Sequence, residues 1–307
     1  MGKTALAARA FAAALLLGAA LAAFAAGEEA TERSAAAMRA RYAALARDPG
    51  HGQFQRALYL DSVVGETGVS GEIHALVGQP FAVTRAALVE PSQWCDILIL
   101  PLNTKYCLPG SVGGAQGLLV GIGRKHDQPM ERAYRLKFGY RVMARTANYL
   151  QVNLEADEGP LDTRDYRIVL AATPADDGRT LIRLSYSYSY GMAGRLAMEA
   201  YLRTLGRDKV GFTVVGRLAD GQPRHVGGMR GVVERNCMRY YLAIEAYLGA
   251  QASPAPLRVE KSLRDWFAAS ERHPRQLHEL EQGEYLAMKR KEYQRQQPVA
   301  APRAGAR

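Results

Sequence analysis

Two of the three cysteines are spaced so that they could form a disulfide. Cys95 and Cys107 lie twelve positions apart and flank a loop between a predicted helix and a predicted sheet. In an oxidising compartment two such thiols favour a bridge. It would close a loop of about 13 residues and add about 3 kcal/mol of stability on the chain-entropy account. The alternative is two separately buried thiols. Cys237 falls on the apolar side of a predicted helix, where we expect a small buried side chain.

The other residue types that perform chemistry do not form a known motif. The six histidines are scattered, with no HExxH and no Cys/His spacing typical of zinc. Residues 68–71 read Gly-Val-Ser-Gly, which is not the GxSxG of a nucleophile elbow. The glycines at 110, 113, 114 and 117 lack the Lys-Ser/Thr of a phosphate loop, so we expect a flexible connection near a cavity mouth. We therefore predict no catalytic residue, no metal and no cofactor.

Tyrosine is the most suggestive residue type, because it supplies 16 of the 25 aromatic side chains. Several tyrosines fall at positions expected to face the interior, where the hydroxyl needs a hydrogen-bond partner. A ligand cavity that is wet at some points and apolar elsewhere would provide one; a filled interior is the alternative. The predicted cavity-lining residues are Tyr134, Leu136, Phe138, Tyr140, Val152, Ile168, Tyr186, Tyr188, Phe212, Val233, Tyr240, Tyr241 and Ile244. The predicted polar rim is Trp94, Asp96, Asn103 and Lys105, residues equally compatible with a loop that only adds stability.

The elements that position these residues are mainly strands. Segments 134–142, 150–154, 166–170, 182–190 and 210–214 alternate apolar and polar residues, which predicts half-buried antiparallel strands. A short strand at 72–77, two short helices and a helix at 195–205 are also predicted. The long helix 231–248 carries an apolar stripe. Since such a sheet must bury one face, we predict an α+β fold, with a curved antiparallel sheet of about six strands wrapped around the long C-terminal helix.

This order of elements resembles the START-like, helix-grip superfamily, also called Bet v 1-like or SRPBCC. The resemblance implies a hydrophobic ligand between sheet and long helix, and it implies no site residues because the superfamily shares no catalytic motif. The helix at 195–205 departs from the simplest version of the fold and could gate the cavity or cover an edge. Residues 94–100, WCDILIL, and 274–280, PRQLHEL, are similar to segments of uncharacterised exported proteobacterial proteins, which implies export but no activity.

Residues 1–25 are predicted to be a cleaved secretory signal peptide. Lys3 and Arg9 are followed by an apolar run to Phe24 and by small residues. The run is shorter than the roughly 20 residues that span a bilayer, which disfavours the alternative of a membrane anchor. Removing these two basic residues lowers the formal net charge from +10 to +8. In the periplasm we expect no nucleic acid partner, but peripheral contact with an anionic membrane surface or an envelope protein is compatible with this charge.

The chain is predicted to divide into four segments. These are the signal peptide 1–25, an N-terminal helix and linker 26–69, the START-like domain 70–250, and a charged helical extension with a disordered tail, 251–307. We expect the extension to pack back onto the domain; a helix that binds a partner or a membrane surface is the alternative.

The function predicted from the sequence is an exported periplasmic protein that binds a lipid or other hydrophobic ligand. Two alternatives remain open at this stage. One is a structural or interaction protein of the cell envelope with a filled core and a docking C-terminal helix. The other, less favoured, is a cyclase- or hydrolase-like enzyme that uses the same cavity.

Overall fold

A computed structural model describes residues 27–48, 54, 56–204 and 208–297. The predicted signal peptide 1–25 and the predicted tail after residue 297 lie outside the described residues. The main feature is an eight-stranded sheet in which every neighbouring pair is antiparallel. Its strands are β1 (Leu58–Val64), β2 (Gly68–Val77), β3 (Thr104–Val112), β4 (Ala115–Ile122), β5 (Tyr134–Arg145), β6 (Leu150–Glu158), β7 (Thr163–Pro174) and β8 (Thr180–Tyr190). Their order across the sheet is β1-β2-β8-β7-β6-β5-β4-β3.

Helices cover the sheet, and a small hairpin lies apart from it. The helices are α1 (27–47), α2 (Phe81–Ala86), α3 (Pro91–Leu98), α4 (Met192–Arg203), α5 (Gly228–Ala250), α6 (Ala255–Glu271), α7 (Pro274–Leu277) and α8 (Gln282–Gln296). The hairpin pairs β9 (Val214–Arg217) with β10 (Pro223–His225). No helix within the described ranges is both long and apolar enough to cross a membrane.

The alternation of apolar and polar residues in the sequence corresponds to alternating burial in β6 and β8. Buried side chains alternate there with more exposed ones along nearly the whole strand. Ile168 of β7 pairs with Tyr186 of β8, which pairs on its other side with Gly71 of β2. The buried face packs against α5, so the predicted α+β arrangement, a sheet wrapped around the long helix, is confirmed.

The long helix α5 approaches β2 so closely that a glycine is required there. A β-carbon added at Gly71 would lie 2.6 Å from Cys237 Sγ and 3.4 Å from a methyl carbon of Val233. On another side α5 contacts α6 and α7. The indole nitrogen of Trp266 in α6 donates a hydrogen bond of 3.1 Å to the carbonyl oxygen of Arg239. The C-terminal extension therefore packs onto the domain, and α5 is buried between it and the sheet.

The sheet is larger than the sequence predicts. Strand β1 lies within the segment 26–69 that was expected to be helix and linker, and its Leu58 and Leu60 are buried. The glycine-rich segment 110–117 was predicted to be a flexible connection. It is instead part of the β3–β4 hairpin. Gly113 and Gly114 adopt φ values of 59° and 81° at its turn, a conformation open to glycine.

The prediction of a last strand at residues 210–214 is wrong. Residues 210–213 form an irregular connection, and the backbone N–H groups of Phe212 and Thr213 donate to the carboxylate of Glu234 at 2.6 and 2.9 Å. Because these donors are already satisfied by a buried side chain of α5, they do not pair with a strand of the large sheet. Strand β9 begins only at Val214 and pairs with β10.

Candidate functional site

A cavity of about 410 Å³ lies between the sheet and α5. The sheet and the segments next to it supply most of its wall: Leu98, Asn103, Thr104, Val120, Ile122, Leu136, Phe138, Thr163, Tyr166, Ile168, Tyr186 and Tyr188. The remaining wall consists of Pro160 and Leu161 from the β6–β7 turn, Gly194 and Met198 from α4, and Val232, Asn236 and Tyr240 from α5.

One face of α5 forms the helical wall. Val232, Asn236 and Tyr240 are spaced by four residues, so their side chains lie above one another. All three are partly accessible, whereas the adjacent Val233 and Cys237 are fully buried against β2. The helix therefore presents one side to the cavity and the next side to the sheet.

Four tyrosine rings form a continuous cluster on this wall. The rings of Tyr166 and Tyr188 are stacked, with centroids 5.3 Å apart and planes 15° from parallel. Tyr186 contacts Tyr188 at 5.7 Å and Tyr240 at 5.3 Å. Offset and tilted ring pairs of this kind add specific stabilisation beyond area burial. The cluster fixes the rings, and thus the hydroxyls, of strands β7 and β8 and of helix α5 relative to one another.

Several polar groups on the wall have no hydrogen-bond partner among the described residues. Among the described residues, the hydroxyl of Tyr166 shares a hydrogen bond of 2.7 Å with Thr163, but those of Tyr186, Tyr188 and Tyr240 have no partner. Thr104 Oγ1 is buried and also has none. Such groups on a cavity wall are positions where a ligand or water would complete the hydrogen bonding.

The tyrosines remain protonated at neutral pH and so can donate hydrogen bonds. Burial, followed by the neighbouring tyrosines, raises the pKa of Tyr186 and of Tyr188. Burial likewise raises the pKa of Tyr240, with smaller contributions from Tyr166 and Cys237. A raised pKa means that the charged phenolate is disfavoured in this site. The wall thus offers neutral hydroxyl donors rather than anions.

The mouth of the cavity lies where the β6–β7 turn meets α4. Leu161 lines the cavity, although 71% of its surface is exposed, and its φ is 58°. Left-handed backbone is uncommon for a bulky apolar residue and is often associated with functional sites. A β-carbon at Gly194 would lie 2.6 Å from the carbonyl oxygen of Leu161, so α4 packs directly on this turn.

The structure brings only part of the predicted lining together at the cavity. The predicted residues that lie on its wall are Leu136, Phe138, Ile168, Tyr186, Tyr188 and Tyr240, joined by Asn103 from the predicted rim. Sequence reasoning did not identify Tyr166, Thr104, Val232 or Asn236. Tyr166 belongs to a strand whose inward pattern had been recognised, so its alternation would have indicated it. Thr104 and Asn236 are polar residues that no pattern marked.

Other predicted lining residues lie away from the cavity. Tyr134, at the start of β5, is 41% exposed. The hydroxyl of Tyr140 donates to the carbonyl oxygen of Leu88 at 3.3 Å, so its ring serves the packing of the α2–α3 segment. Phe212 packs against Phe54 and His273. The remaining four residues are buried in the core but are not part of the cavity wall: Val152, Val233, Tyr241 and Ile244.

Three predicted rim residues lie away from this cavity. Trp94 is buried and donates a hydrogen bond of 2.9 Å to the carbonyl oxygen of Leu88. Lys105 is fully buried and forms an ion pair of 2.9 Å with Glu292. Asp96 borders a different pocket. Lys105 is buried because α8 packs over β3 and supplies Glu292 as its partner.

The bridge between Cys95 and Cys107 is present, with Cα atoms 5.0 Å apart. It joins α3 to β3 and encloses the residues that contribute Leu98, Asn103 and Thr104 to the cavity wall. Cys237 is a buried thiol, and burial is the largest cause of its raised pKa. The bridge therefore restrains one side of the candidate site.

The fold is of the helix-grip type, in which an antiparallel sheet wraps around a long helix. No family model matches the chain, and no curated protein matches its sequence. Among solved structures, truncated norcoclaurine synthase from Thalictrum flavum aligns with 16% identity and a TM-score of 0.31, covering 47% of this chain and 91% of that one. A START superfamily protein from Mycobacterium smegmatis aligns with 13% identity and a TM-score of 0.30, covering 46% and 92%.

Ara h 8.0201 aligns with 11% identity and a TM-score of 0.34, covering 63% of this chain and 99% of that one. Identities and scores this low say nothing about the ligand or the activity. The class assignment rests on the strand order and the position of α5 in this chain.

Proposed function

We propose that this protein is an exported binding protein that holds an uncharged, largely apolar molecule in the cavity between the sheet and α5. The observation that carries the proposal is the wall itself: a cavity of about 410 Å³ whose polar groups include three tyrosine hydroxyls without a partner among the described residues. Ligand sites are typically apolar clefts of about 300–1,000 Å³ with a few fixed polar groups.

The chemistry of the wall selects the class of ligand. Its described residues are apolar or carry neutral hydroxyl and amide groups. Moving an ionised group into such surroundings without a counter-charge is strongly unfavourable. An apolar ligand, in contrast, gains about 25 cal/mol for each Å² removed from water. A lipid with a small neutral head, or a ring compound that carries a hydroxyl or carbonyl group, fits this wall better than a fatty acid or a phospholipid does.

The same wall supports binding rather than catalysis. General acid–base catalysis usually depends on a histidine or carboxylate whose pKa lies near the working pH. The described lining offers tyrosines with raised pKa values instead. Sequestration of the ligand needs only burial and a few hydrogen bonds, both of which this site provides.

Export to the periplasm is part of the proposal. It is supported by the N-terminal pattern of basic residues and an apolar run. A disulfide between Cys95 and Cys107 is also typical of proteins in oxidising compartments. Fractionation of cells that produce the full chain would test it: the shortened mature chain should appear in the periplasmic fraction, and full-length protein in the cytoplasm would contradict export.

The test of binding is native mass spectrometry of the purified mature protein, followed by extraction of any bound molecule. The variant Val232→Trp fills the cavity from α5, and Leu257→Trp adds the same ring at an exposed position of α6. We expect a bound neutral molecule on the wild type and on Leu257→Trp, and none on Val232→Trp.

Uptake of an added apolar fluorophore provides a second readout if the natural ligand is lost during purification. The wild type and Leu257→Trp should bind the probe equally, and Val232→Trp should bind it at least about tenfold more weakly, a loss of about 1.4 kcal/mol. Equal uptake by all three proteins, or no uptake by any, would rule out this cavity as the binding site.

A further inference from the structure

A second cavity lies outside the START-like core, where the C-terminal extension packs against it. It has a volume of about 230 Å³ and is bordered by α3, the end of α5, α6 and α8. One water occupies roughly 30 Å³ in the liquid, so the space is sufficient for a small molecule. Because α6 and α8 supply part of its wall, this cavity exists only when the extension is docked.

Two opposite charges border this cavity without forming an ion pair. Asp96 of α3 makes no salt bridge with any described residue, and its one side-chain hydrogen bond is a long one, 3.5 Å from the hydroxyl of Tyr293. Burial raises the pKa of Asp96. Arg258 of α6 makes one side-chain hydrogen bond with the described residues, from Nε to the carbonyl oxygen of Ser253 at 3.0 Å. The carboxylate and the outer guanidinium nitrogens are thus available to a ligand.

The rest of the wall is aromatic and aliphatic. Tyr247 and Tyr293 stand close enough to Asp96 for their pKa values to be raised by its charge, in addition to the effect of burial. Tyrosine faces next to a carboxylate form a favourable environment for an ammonium group. The apolar portion is formed by Ile99, Leu100 and Val259.

We propose that this second cavity binds a small zwitterion, an α-amino acid with an aliphatic side chain. Asp96 and the tyrosines would receive the ammonium group, Arg258 the carboxylate, and the aliphatic wall the side chain. A guanidinium binds a carboxylate through paired N–H donors, which gives direction as well as attraction. A ligand with an ammonium group but no carboxylate would leave Arg258 without a counter-charge. A ligand with a carboxylate but no ammonium group would leave Asp96 without one.

The proposal is independent of the main cavity, and its test needs no knowledge of the natural ligand. The probes are L-leucine, N-acetyl-L-leucine, which lacks the ammonium, and L-leucinamide, which lacks the carboxylate. Binding is measured by calorimetry and by the rise in thermal midpoint at millimolar probe, since a ligand that binds only the folded state stabilises it. We expect L-leucine to bind and each blocked analogue to bind at least about tenfold more weakly, a difference of about 1.4 kcal/mol.

Variants locate the site. Asp96→Asn and Arg258→Gln should each lower the affinity for L-leucine at least about tenfold. The same substitutions in exposed ion pairs of α6, Asp265→Asn and Arg264→Gln, should leave it unchanged. Val232→Trp should also bind L-leucine normally, which separates this site from the main cavity.

Three outcomes would overturn the proposal. They are no response to L-leucine, equal binding of the blocked analogues, and full affinity in both Asp96→Asn and Arg258→Gln. The comparison of the three probes uses the wild-type protein alone, so it remains decisive even if a variant fails to fold.

Discussion

The ammonium group of Lys289 donates a hydrogen bond of 2.7 Å to the carbonyl oxygen of Thr104, the residue whose side chain lines the main cavity. Lys289 also donates to Glu292 at 2.6 Å, and Glu292 accepts a second hydrogen bond of 2.9 Å from Lys105. All three side chains are fully buried. The C-terminal helix α8 thereby holds the segment that forms one side of the cavity, through one carboxylate shared by two lysines.

Removing the shared carboxylate should destabilise the protein strongly. Glu292→Gln leaves two buried ammonium groups without a counter-charge, and breaking a buried pair in this way costs about 3–5 kcal/mol. The control is Glu260→Gln, which removes an exposed carboxylate that also contacts α8, through Arg290. A surface pair contributes about 0–1 kcal/mol. Urea denaturation measures the free energy of unfolding of both variants. A similarly small decrease in the two variants would contradict this account of the buried cluster.

The stability should rise as the pH increases from about 8 to 10. Burial lowers the pKa of Lys289 from 10.5 to about 8, and burial is also the main cause of the lowered pKa of Lys125, about 8. In this window the unfolded chain holds protons that the folded chain has released, so the free energy of unfolding increases with pH.

Above about pH 10 the buried tyrosines act in the opposite direction, because the unfolded chain releases phenolic protons that the folded chain retains. Urea denaturation from pH 7 to 11 tests the whole curve. Lys289→Met keeps the pair between Lys105 and Glu292 and should show a smaller rise between pH 8 and 10. An identical slope in the variant would mean that Lys289 does not cause the effect.

Loss of the disulfide should lower stability by about 3 kcal/mol, the value for a closed loop of about 15 residues in the chain-entropy account. The double variant Cys95→Ala/Cys107→Ala removes the bridge between α3 and β3. Its denaturation midpoint should fall to that of the reduced wild type and should not respond to reductant, because Cys237 is already a thiol. A wild-type midpoint that reductant leaves unchanged, even after full reduction is verified by mass, would contradict the prediction.

The contact between α5 and β2 can be tested with a double-mutant cycle. Gly71→Ala places a methyl group 2.6 Å from Cys237 Sγ, and overpacking of this kind costs about 1–3 kcal/mol. Cys237→Ala removes the sulfur, so the double variant should be more stable than the sum of the two single losses implies. Gly110→Ala is the control, since a methyl group there meets no atom within 4 Å. Strict additivity would show that the two residues do not interact.

The unpartnered tyrosine hydroxyls should be dispensable for folding. Tyr240→Phe removes a hydroxyl that has no hydrogen bond to the described residues and faces the cavity, so stability should change by less than about 0.5 kcal/mol. Tyr285→Phe is the matched comparison: its buried hydroxyl donates to the carbonyl oxygen of Leu100 at 3.0 Å, and its loss should cost about 1–3 kcal/mol. Equal losses in the two variants would indicate that Tyr240 has a structural role instead.

The sequence predicted much of the fold because its patterns are local. The alternation in β6 and β8 follows from the period of a strand with one buried face. The turn residues and the spacing of Cys95 and Cys107 are likewise local signals. Strand β1, in contrast, is short and has no clear alternation past Leu60, so only its pairing with β2 identifies it.

The candidate site was less predictable, and α5 shows why. The sequence assigned Val233 and Tyr241 to the cavity because apolar residues mark the buried face of a helix. This helix is buried by the sheet on one side and by α6 on another, so apolar character does not distinguish the face that lines the cavity. The cavity side carries the partly accessible Asn236 and Tyr240 instead.

The sequence by itself determined strands β2 and β5 to β8, the long helix and the spacing of the two cysteines, since each depends on residues close together in the chain. The tertiary structure decided which side of α5 faces the cavity and where the C-terminal charges lie. Lys105, Lys289 and Glu292 are charged residues, of types that usually lie on a solvated surface. They are buried because residues almost two hundred positions apart meet under α8, where the opposite charges offset the cost of leaving water.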